Sequence, residues 1–370
     1  MPEEEHALAG EHPRAARRTV LLTGATGVVG RALVAELAAD HEIICLRRRR
    51  ALDDPRVTEL DGDLAREDLG LGAARRAALA GRLDLIVHAA AATSWRASRQ
   101  NVFATNVDGT GRMLALAAEL GVPLYYVSTA FVARPPRERD GETFTGPAAY
   151  LASKIEAEQR VRTSGVPAVI VRPSVVIGNS QDGWISAFQG LHRAAGAVVR
   201  GDAPLVPADL ASIIDLMPQD IVARAIGALV RGRVTTGEYW LTAGEGAPLV
   251  AEMIDVAVAL GQRLGIYPHR PRLIPIEAVD RLLVPLLAET GSALLRRRFR
   301  DFIEMMLLFQ SGAALPSSMA QLGLGAQVTR PALMAAFTRS MEFWARRTGL
   351  APAGSDEPDE APHARPAVVA

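Results

Sequence analysis

The chain has 370 residues, 49% hydrophobic and 22% charged, enough for one large or two modest globular domains. Basic and acidic residues both number 41, so the formal net charge is zero and no overall field points to nucleic acid. The single cysteine, Cys45, excludes an internal disulfide, no Cys/His cluster has zinc spacing, and no apolar run reaches the ~18 residues of a membrane span.

Residues 1–17 are acidic, then basic, with no apolar core. They are expected to form a disordered arm rather than a secretory signal, and a cytoplasmic protein is the expectation. The first strand signal is Thr19 to Thr23, followed by Gly24, Gly27 and Gly30, and then a helix from Arg31 to Ala39. A strand turning through glycines into a helix makes an anion site, because bare backbone and free helix N–H groups can approach a pyrophosphate. Thr23, Gly24, Thr26, Gly27, Val28, Val29 and Gly30 are therefore candidate cofactor contacts, with a ligand-free turn as the alternative.

The second strand, Glu42 to Leu46, ends without the acid that holds the ribose of NADH. Arg47, Arg48, Arg49 and Arg50 stand there instead. A guanidinium fork matches a 2′-phosphate in charge and shape, so NADPH is expected, with Arg47 and Arg48 as its contacts. A solvated basic loop is the alternative. A short third strand, Val57 to Leu60, leads to Asp63 and Leu64, where the acid could accept from an adenine amino group or cap a helix.

A fourth strand, Leu83 to Val87, ends in His88, Ala89 and Ala90. Small residues at a carboxyl end leave room for a ligand, so His88, Ala89 and Ala90 are candidate cofactor contacts; His88 is also tempting as a catalytic base, but with no visible partner a structural histidine is the safer reading. Asn106 begins or interrupts the next helix, where an amide that competes with the backbone is unusual filler. A fifth strand, Leu124 to Ser128, delivers Ser128 and Thr129, and a loop with Pro135, Pro136 and Gly141 follows.

Pro147 to Ser164 reads as a helix with proline at its start. Tyr150 and Lys154 are four apart and share one face. An ammonium beside a phenol favours the phenolate, so Lys154 is expected to lower the Tyr150 pKa and make it a usable acid. A hydroxyl from Thr129 or Ser128 would hold the substrate oxygen. The alternation of strands and helices predicts an α/β fold, a Rossmann-type doubly wound parallel sheet.

Together, Thr23 to Gly30, His88-Ala89-Ala90, Asn106 to Thr110, Ser128-Thr129-Ala130 and Tyr150 to Lys154 resemble the extended short-chain dehydrogenase/reductases. Val127 to Val132, Tyr150 to Glu158, Arg172 to Gly178, Gly183 to Ile185 and Ile214 to Asp220 make the chain most similar to the thioester-reductase and fatty acyl-CoA reductase branch. The likeness is good from about Thr19 to Thr242 and loose beyond.

The resemblance implies an NADPH-dependent reductase of an acyl thioester, giving an aldehyde and possible onward reduction to an alcohol. Thr129 and Tyr150 would hold the oxyanion, Lys154 would tune Tyr150 and bind the nicotinamide ribose, and Asn106 would support Lys154. Arg172, Pro173 and Ser174 would line the nicotinamide end. With no adenylation or carrier segment in the sequence, the acyl group is expected on coenzyme A or a separate carrier protein.

The expected division is a cofactor domain over 18–176, with 215–245 returning to it, and a smaller, mostly helical C-terminal substrate lobe over 177–214 and 246–350. Residues 351–370 would be a disordered tail. Met253 to Leu264, and Phe302 to Phe309 near Leu282, Leu283, Leu286 and Leu287, carry apolar stripes that are core or an acyl groove. Arg296 to Arg300 is a solvated face or a contact for coenzyme A or an acidic carrier. Three other functions share these residues: a hydroxysteroid-type or other secondary-alcohol dehydrogenase, a sugar-nucleotide epimerase or dehydratase disfavoured by the apolar lobe, and a non-catalytic NADP-binding sensor.

Overall fold

Seven parallel strands organise the protein, in a computed structural model that describes residues 17–94, 97–134, 146–275, 278 and 308–351. They are β1 (Arg18–Thr23), β2 (His41–Arg47), β3 (Val57–Asp61), β4 (Leu85–His88), β5 (Leu124–Val127), β6 (Ala168–Pro173) and β7 (Gly237–Leu241). Their spatial order is β7-β6-β5-β4-β1-β2-β3. The chain builds outward from β1 to β3, then crosses to β4 on the other side of β1. That reversal leaves a crevice at the carboxyl ends of β1 and β4, where ligands of open α/β sheets bind.

Alternation along each strand decides which layer a side chain joins. Leu21, Ile44, Ile86, Tyr126 and Ile170 pack on one face with α4 (Gly109–Leu120) and α5 (Gly146–Thr163). Val20, Leu22, Cys45, Val87, Val127 and Val171 face the other way, onto α1 (Val28–Leu37) and α7 (Gln219–Arg231). Among the described residues, the remaining α-helices are α2 (Gly72–Leu79), α3 (Arg99–Phe103), α6 (Gly190–Arg200), α8 (Val250–Arg263) and α9 (Arg330–Arg347).

Helices α6, α8 and α9 pack on one another, and their apolar faces continue the α1/α7 layer. Met253, Ile254, Ala257 and Leu260 of α8 are buried in that layer, so this stripe is core. Short strand pairs tie the segment after β6 to the rest: Val175–Ile177 with Leu216–Pro218, Leu205–Pro207 with Arg272–Ile274, and Ile213–Ile214 with Gln310–Ser311. Among the described residues, no helix is long and apolar enough to cross a membrane. Residues 1–16 of the expected arm, 352–370 of the expected tail, the basic run at Arg296 to Arg300, the loop with Pro135, Pro136 and Gly141, and the stripe before Leu308 lie outside the described residues, as do Leu282, Leu283, Leu286 and Leu287.

Candidate active site

One cleft of about 960 Å³ runs from the glycine loop after β1, past the ends of β4 and β5, to α5 and α6. At its first end the loop is shaped by steric necessity. Gly24 has φ +76°, and a Cβ there would lie 2.6 Å from the Ala90 nitrogen. A Cβ on Gly30 would lie 2.0 Å from the Gly24 carbonyl oxygen, so α1 can start this close to the strand only without a side chain. Gly27 is the N-cap of α1, makes no side-chain cap, and the first turn holds no acid. The helix therefore presents uncapped N–H groups and its positive end to the cleft.

The four arginines after β2 all line the cleft, but they differ. Arg47 is held by β3, with Nη2 2.8 Å from Asp61 Oδ1 and Nε 3.3 Å from Glu59 Oε2. Glu59 also accepts from the amides of Leu52 and Asp53, so it fastens the loop that carries Arg48 to Arg50. Arg47 and Arg48, the two expected phosphate contacts, thus start from different surroundings. Arg47 is already paired by neighbouring acids, whereas Arg48, Arg49 and Arg50 are exposed at the rim. Asp63 and Leu64 line the same end, and Asp63 Oδ1 accepts from the Ala65 amide in a turn rather than capping a helix.

His88 lies beneath the cleft rather than on it, 1% exposed. Its Nδ1 is 2.7 Å from Thr23 Oγ1 and its Nε2 is 3.2 Å from Thr110 Oγ1. Thr23 Oγ1 accepts from the Ala90 amide, and Thr110 Oγ1 donates to the Asn106 carbonyl. Donors and acceptors balance when His88 carries its proton on Nε2. Burial pushes its pKa down to about 3, so it is a neutral structural link. Ala89 and Ala90, its neighbours, do line the cleft.

The far end gathers Ser128, Thr129, Tyr150 and Lys154. Strand β5 stops at Val127 and delivers the two hydroxyls, while α5 carries Tyr150 and Lys154 one turn apart. Thr129 Oγ1 accepts from the Phe131 amide, which orients it. Lys154 is 2% exposed; its Nζ donates to the Val127 carbonyl at 2.7 Å and sits 4.4 Å from the centre of the Tyr126 ring. Burial lowers its pKa to about 7, against the favourable charge of Glu158. Burial raises Tyr150 to about 12, and its hydrogen bond with Thr129 works in the opposite direction. The expected lowering of Tyr150 by Lys154 is thus not present in the protein alone, because the ammonium is directed at the strand end.

Asn106 sits inside a π turn, Ala104–Asp108, that interrupts the helix from Arg99 to Leu120. Its amide oxygen accepts from the Ala92 amide at 2.7 Å, and its nitrogen donates to the Ala92 carbonyl and to Ser153 Oγ at 3.1 and 2.9 Å. Ser153 in turn donates to the Tyr150 carbonyl. Asn106 therefore joins the loop after β4 to the Tyr150 helix beside Lys154, without bonding Lys154 itself. Irregular turns of this type commonly serve functional sites.

Pro173 and Ser174 line the cleft, but Arg172 does not. Its guanidinium turns away and forks onto Glu158 at 2.9 and 2.8 Å, a correction set by strand alternation: Arg172 points to the α5 side of β6. Leu308 and Phe309, from the stripe weighed as core or groove, line an apolar wall of the cleft together with Phe131, Val176 and Phe188, which sequence reasoning left out, with Gln189 and Arg193 beside it. The Phe131 and Phe309 rings are 5.2 Å apart. Leu308 and Phe309 thus both line the cleft and pack against the core. The signal for α6 was legible in Leu191, Ala195, Val198 and Val199, which are buried at helical spacing.

The residues fit a nicotinamide dinucleotide. Gly27 leaves a bare cradle at the helix N-terminus, and Ser128 Oγ is buried on the cleft wall without a hydrogen-bond partner. Comparison with known proteins agrees with this architecture. Residues 47–226 match the family model described as male sterility protein. The chain is 32% identical over 252 residues to the polyketide synthase-nonribosomal peptide synthetase ACE1 of Pyricularia oryzae, covering 60% of this chain and 6% of that protein. It is 32% identical over 261 residues to the isonitrile lipopeptide synthase of Streptomyces coeruleorubidus, covering 60% of this chain and 17% of that one. The chain therefore spans a small part of these relatives. The crystal structure of the terminal R domain from the myxalamid PKS-NRPS pathway superposes with a TM-score of 0.68 at 26% identity, covering 92% of this chain and 94% of that one. The reductase domain of a nonribosomal peptide synthetase from Mycobacterium tuberculosis shares the fold, with a TM-score of 0.64 at 22% identity and coverage of 92% and 94%.

Proposed function

Because the chain belongs to the extended short-chain dehydrogenase/reductases, in their thioester-reductase-like branch, we propose that it reduces an acyl thioester with NADPH. The observation that carries this reading is the placement of Thr129, Tyr150 and Lys154 at one end of a cleft whose other end is a glycine loop at a helix N-terminus. Gly24, Gly27 and Gly30 would hold the pyrophosphate, Arg48 with its neighbours the 2′-phosphate, Asp63 the adenine, and Lys154 the nicotinamide ribose.

A bound NADPH would supply the hydride. Thr129 and Tyr150 would hold the thioester oxygen and stabilise the negative charge that develops on it. Tyr150 would give the proton, with the Lys154 charge favouring its phenolate afterwards. Expulsion of the thiol would leave an aldehyde. The apolar wall at Phe131, Phe188 and Phe309 supports an apolar acyl group. The kinship with peptide and polyketide synthetases supports delivery on a carrier's pantetheine arm, with coenzyme A as the soluble counterpart.

The test follows NADPH absorbance and released thiol together, using acyl-pantetheine and acyl-CoA thioesters of graded length. NADPH loss matched by thiol, and reduced ~10²-fold or more by Tyr150→Phe, is the expected result. Turnover of ketones or secondary alcohols with none of thioesters would assign the site to an alcohol dehydrogenase instead.

A further inference from the structure

Lys154 is the sole lysine of the chain; every other basic side chain of the lysine/arginine class is arginine. Behind it, on the side away from the cleft, four charged residues close a ring. Glu158, one turn after Lys154 on α5, takes a two-pronged contact from Arg172 of β6 at 2.9 and 2.8 Å. Arg162, one turn further, reaches Glu158 at 2.6 Å and Glu238 of β7 at 2.7 Å. Arg172 completes the ring to Glu238 at 2.5 Å and stacks over Trp240 at 4.5 Å. Arg172 and Glu158 are 4% and 3% exposed, whereas Arg162 and Glu238 are 39% and 40% exposed.

We propose that this ring of two acids and two bases is a positioning device that sets the charge state of Lys154 from behind the cleft. The geometry gives it that reach. Glu158 and Lys154 share a helix face at i and i+4, in a buried setting where water screens little. The other groups facing Lys154 are His88 from β4, held neutral, the Tyr126 ring and Val127 carbonyl from β5, and Tyr150 on its own helix. Glu158 is therefore the one carboxylate among the described residues that bears on it, and how far Glu158 is neutralised depends on Arg172 and Arg162. Glu238 matters by drawing those two arginines away. The inference rests on the reductase reading for the use made of Lys154, but not for its measurement.

The test uses the full chain with ¹³C-lysine labelling, which gives a single side-chain resonance because there is one lysine. Arg162→Gln and Glu238→Gln alter the exposed corners and leave the buried pair intact. Arg162→Gln is expected to raise the Lys154 titration midpoint and Glu238→Gln to lower it, each by about 0.3–0.5 pH units. The buried Glu158→Gln should lower it by about one unit or more where it folds. The alkaline limb of kcat/KM, where the Lys154 charge is lost, should move with the midpoint. Midpoints that stay put, or move the same way in both exposed variants, would show a merely structural staple. Opposed shifts in a protein that reduces no thioester would uphold the ring and remove the reductase reading alone.

Discussion

The Lys154 ammonium donates to the Val127 carbonyl at 2.7 Å, so the helix that carries Tyr150 is bonded to the strand end that carries Thr129. This bond keeps the charge buried, and burial brings Lys154 down to about 7 from its ordinary 10.5. Unfolding returns it to water. Between pH 7 and 10.5 the unfolded chain holds the lysine proton and the folded chain has released it. The unfolded state then binds more protons, and stability rises with pH. Below pH 7 both states are charged and the slope vanishes. Urea unfolding from pH 7 to 9 should show this rise, and Lys154→Met should abolish it, since no other lysine exists to replace it. An unchanged slope in the variant would place the source elsewhere. The window ends at pH 9, because Cys45, raised to about 12 by burial, then contributes with the opposite sign.

Histidines dominate on the acid side. Burial lowers His88 to about 3 and His192 to about 4. His192 Nδ1 accepts from the Gln189 amide, and its Nε2 bonds Ser340 Oγ, which also accepts from the Gly178 amide. A proton on Nδ1 would break the first of these. The unfolded chain takes up both protons below about pH 6.5, and the folded chain resists. Stability should therefore fall as pH drops from about 6.5 to 4.5, before carboxylates contribute. Each histidine accounts for up to about 1.4 kcal/mol per pH unit in that window. Chemical denaturation at these pH values checks the slope, and replacing either histidine by Gln should roughly halve it.

Local pattern made the sheet legible. Continuous apolar runs in Val20 to Leu22 and Ile43 to Leu46, glycine at every third position, and Tyr150 four before Lys154 are short-range signals, and the helices and strands formed there. The roles of Arg47 and Arg172 were not legible, because their partners come from other strands. Glu59 and Asp61 become neighbours of Arg47 only through the β2–β3 register, and Glu238 meets Arg172 only through β6–β7. Phe309 and Phe131 are likewise 178 positions apart in sequence and joined only by packing. Asn106 was singled out as an odd helix residue, but a π turn has no distinct sequence period that would have announced it.

Cofactor choice should separate the arginines. Arg48→Ala is expected to raise the KM for NADPH about 10- to 100-fold and to leave that for NADH nearly unchanged, the loss of one charge-assisted phosphate contact. Arg47→Ala should instead cost stability, because it strands Glu59 and Asp61 and loosens the loop that Glu59 holds at Leu52 and Asp53. Steady-state kinetics with both cofactors, beside a melting curve for each variant, decide the matter. An Arg47→Ala protein with wild-type melting and lost NADPH preference would return the phosphate to Arg47.

Asn106 tests whether the π turn serves chemistry or only folding. Its amide satisfies both the N–H and the carbonyl of Ala92 and also holds Ser153, whose hydroxyl is bonded to the Tyr150 carbonyl. Asn106→Ala leaves the Ala92 amide and carbonyl without these partners, at about 1–3 kcal/mol for each group left unsatisfied. It also frees the Tyr150 segment of α5 to move. Small displacements of a proton donor are costly, so kcat should fall about tenfold or more while NADPH affinity, governed by the distant glycine loop, changes little. Asn106→Asp keeps the shape but turns a donor into a carboxylate facing the Ala92 carbonyl, and should be worse than alanine for stability. Paired melting curves and kcat values check both statements. A variant with lowered melting temperature and intact kcat would reduce Asn106 to a folding role, and one with intact melting and lost kcat would place it closer to the reacting atoms than its bonds to Ala92 and Ser153 do.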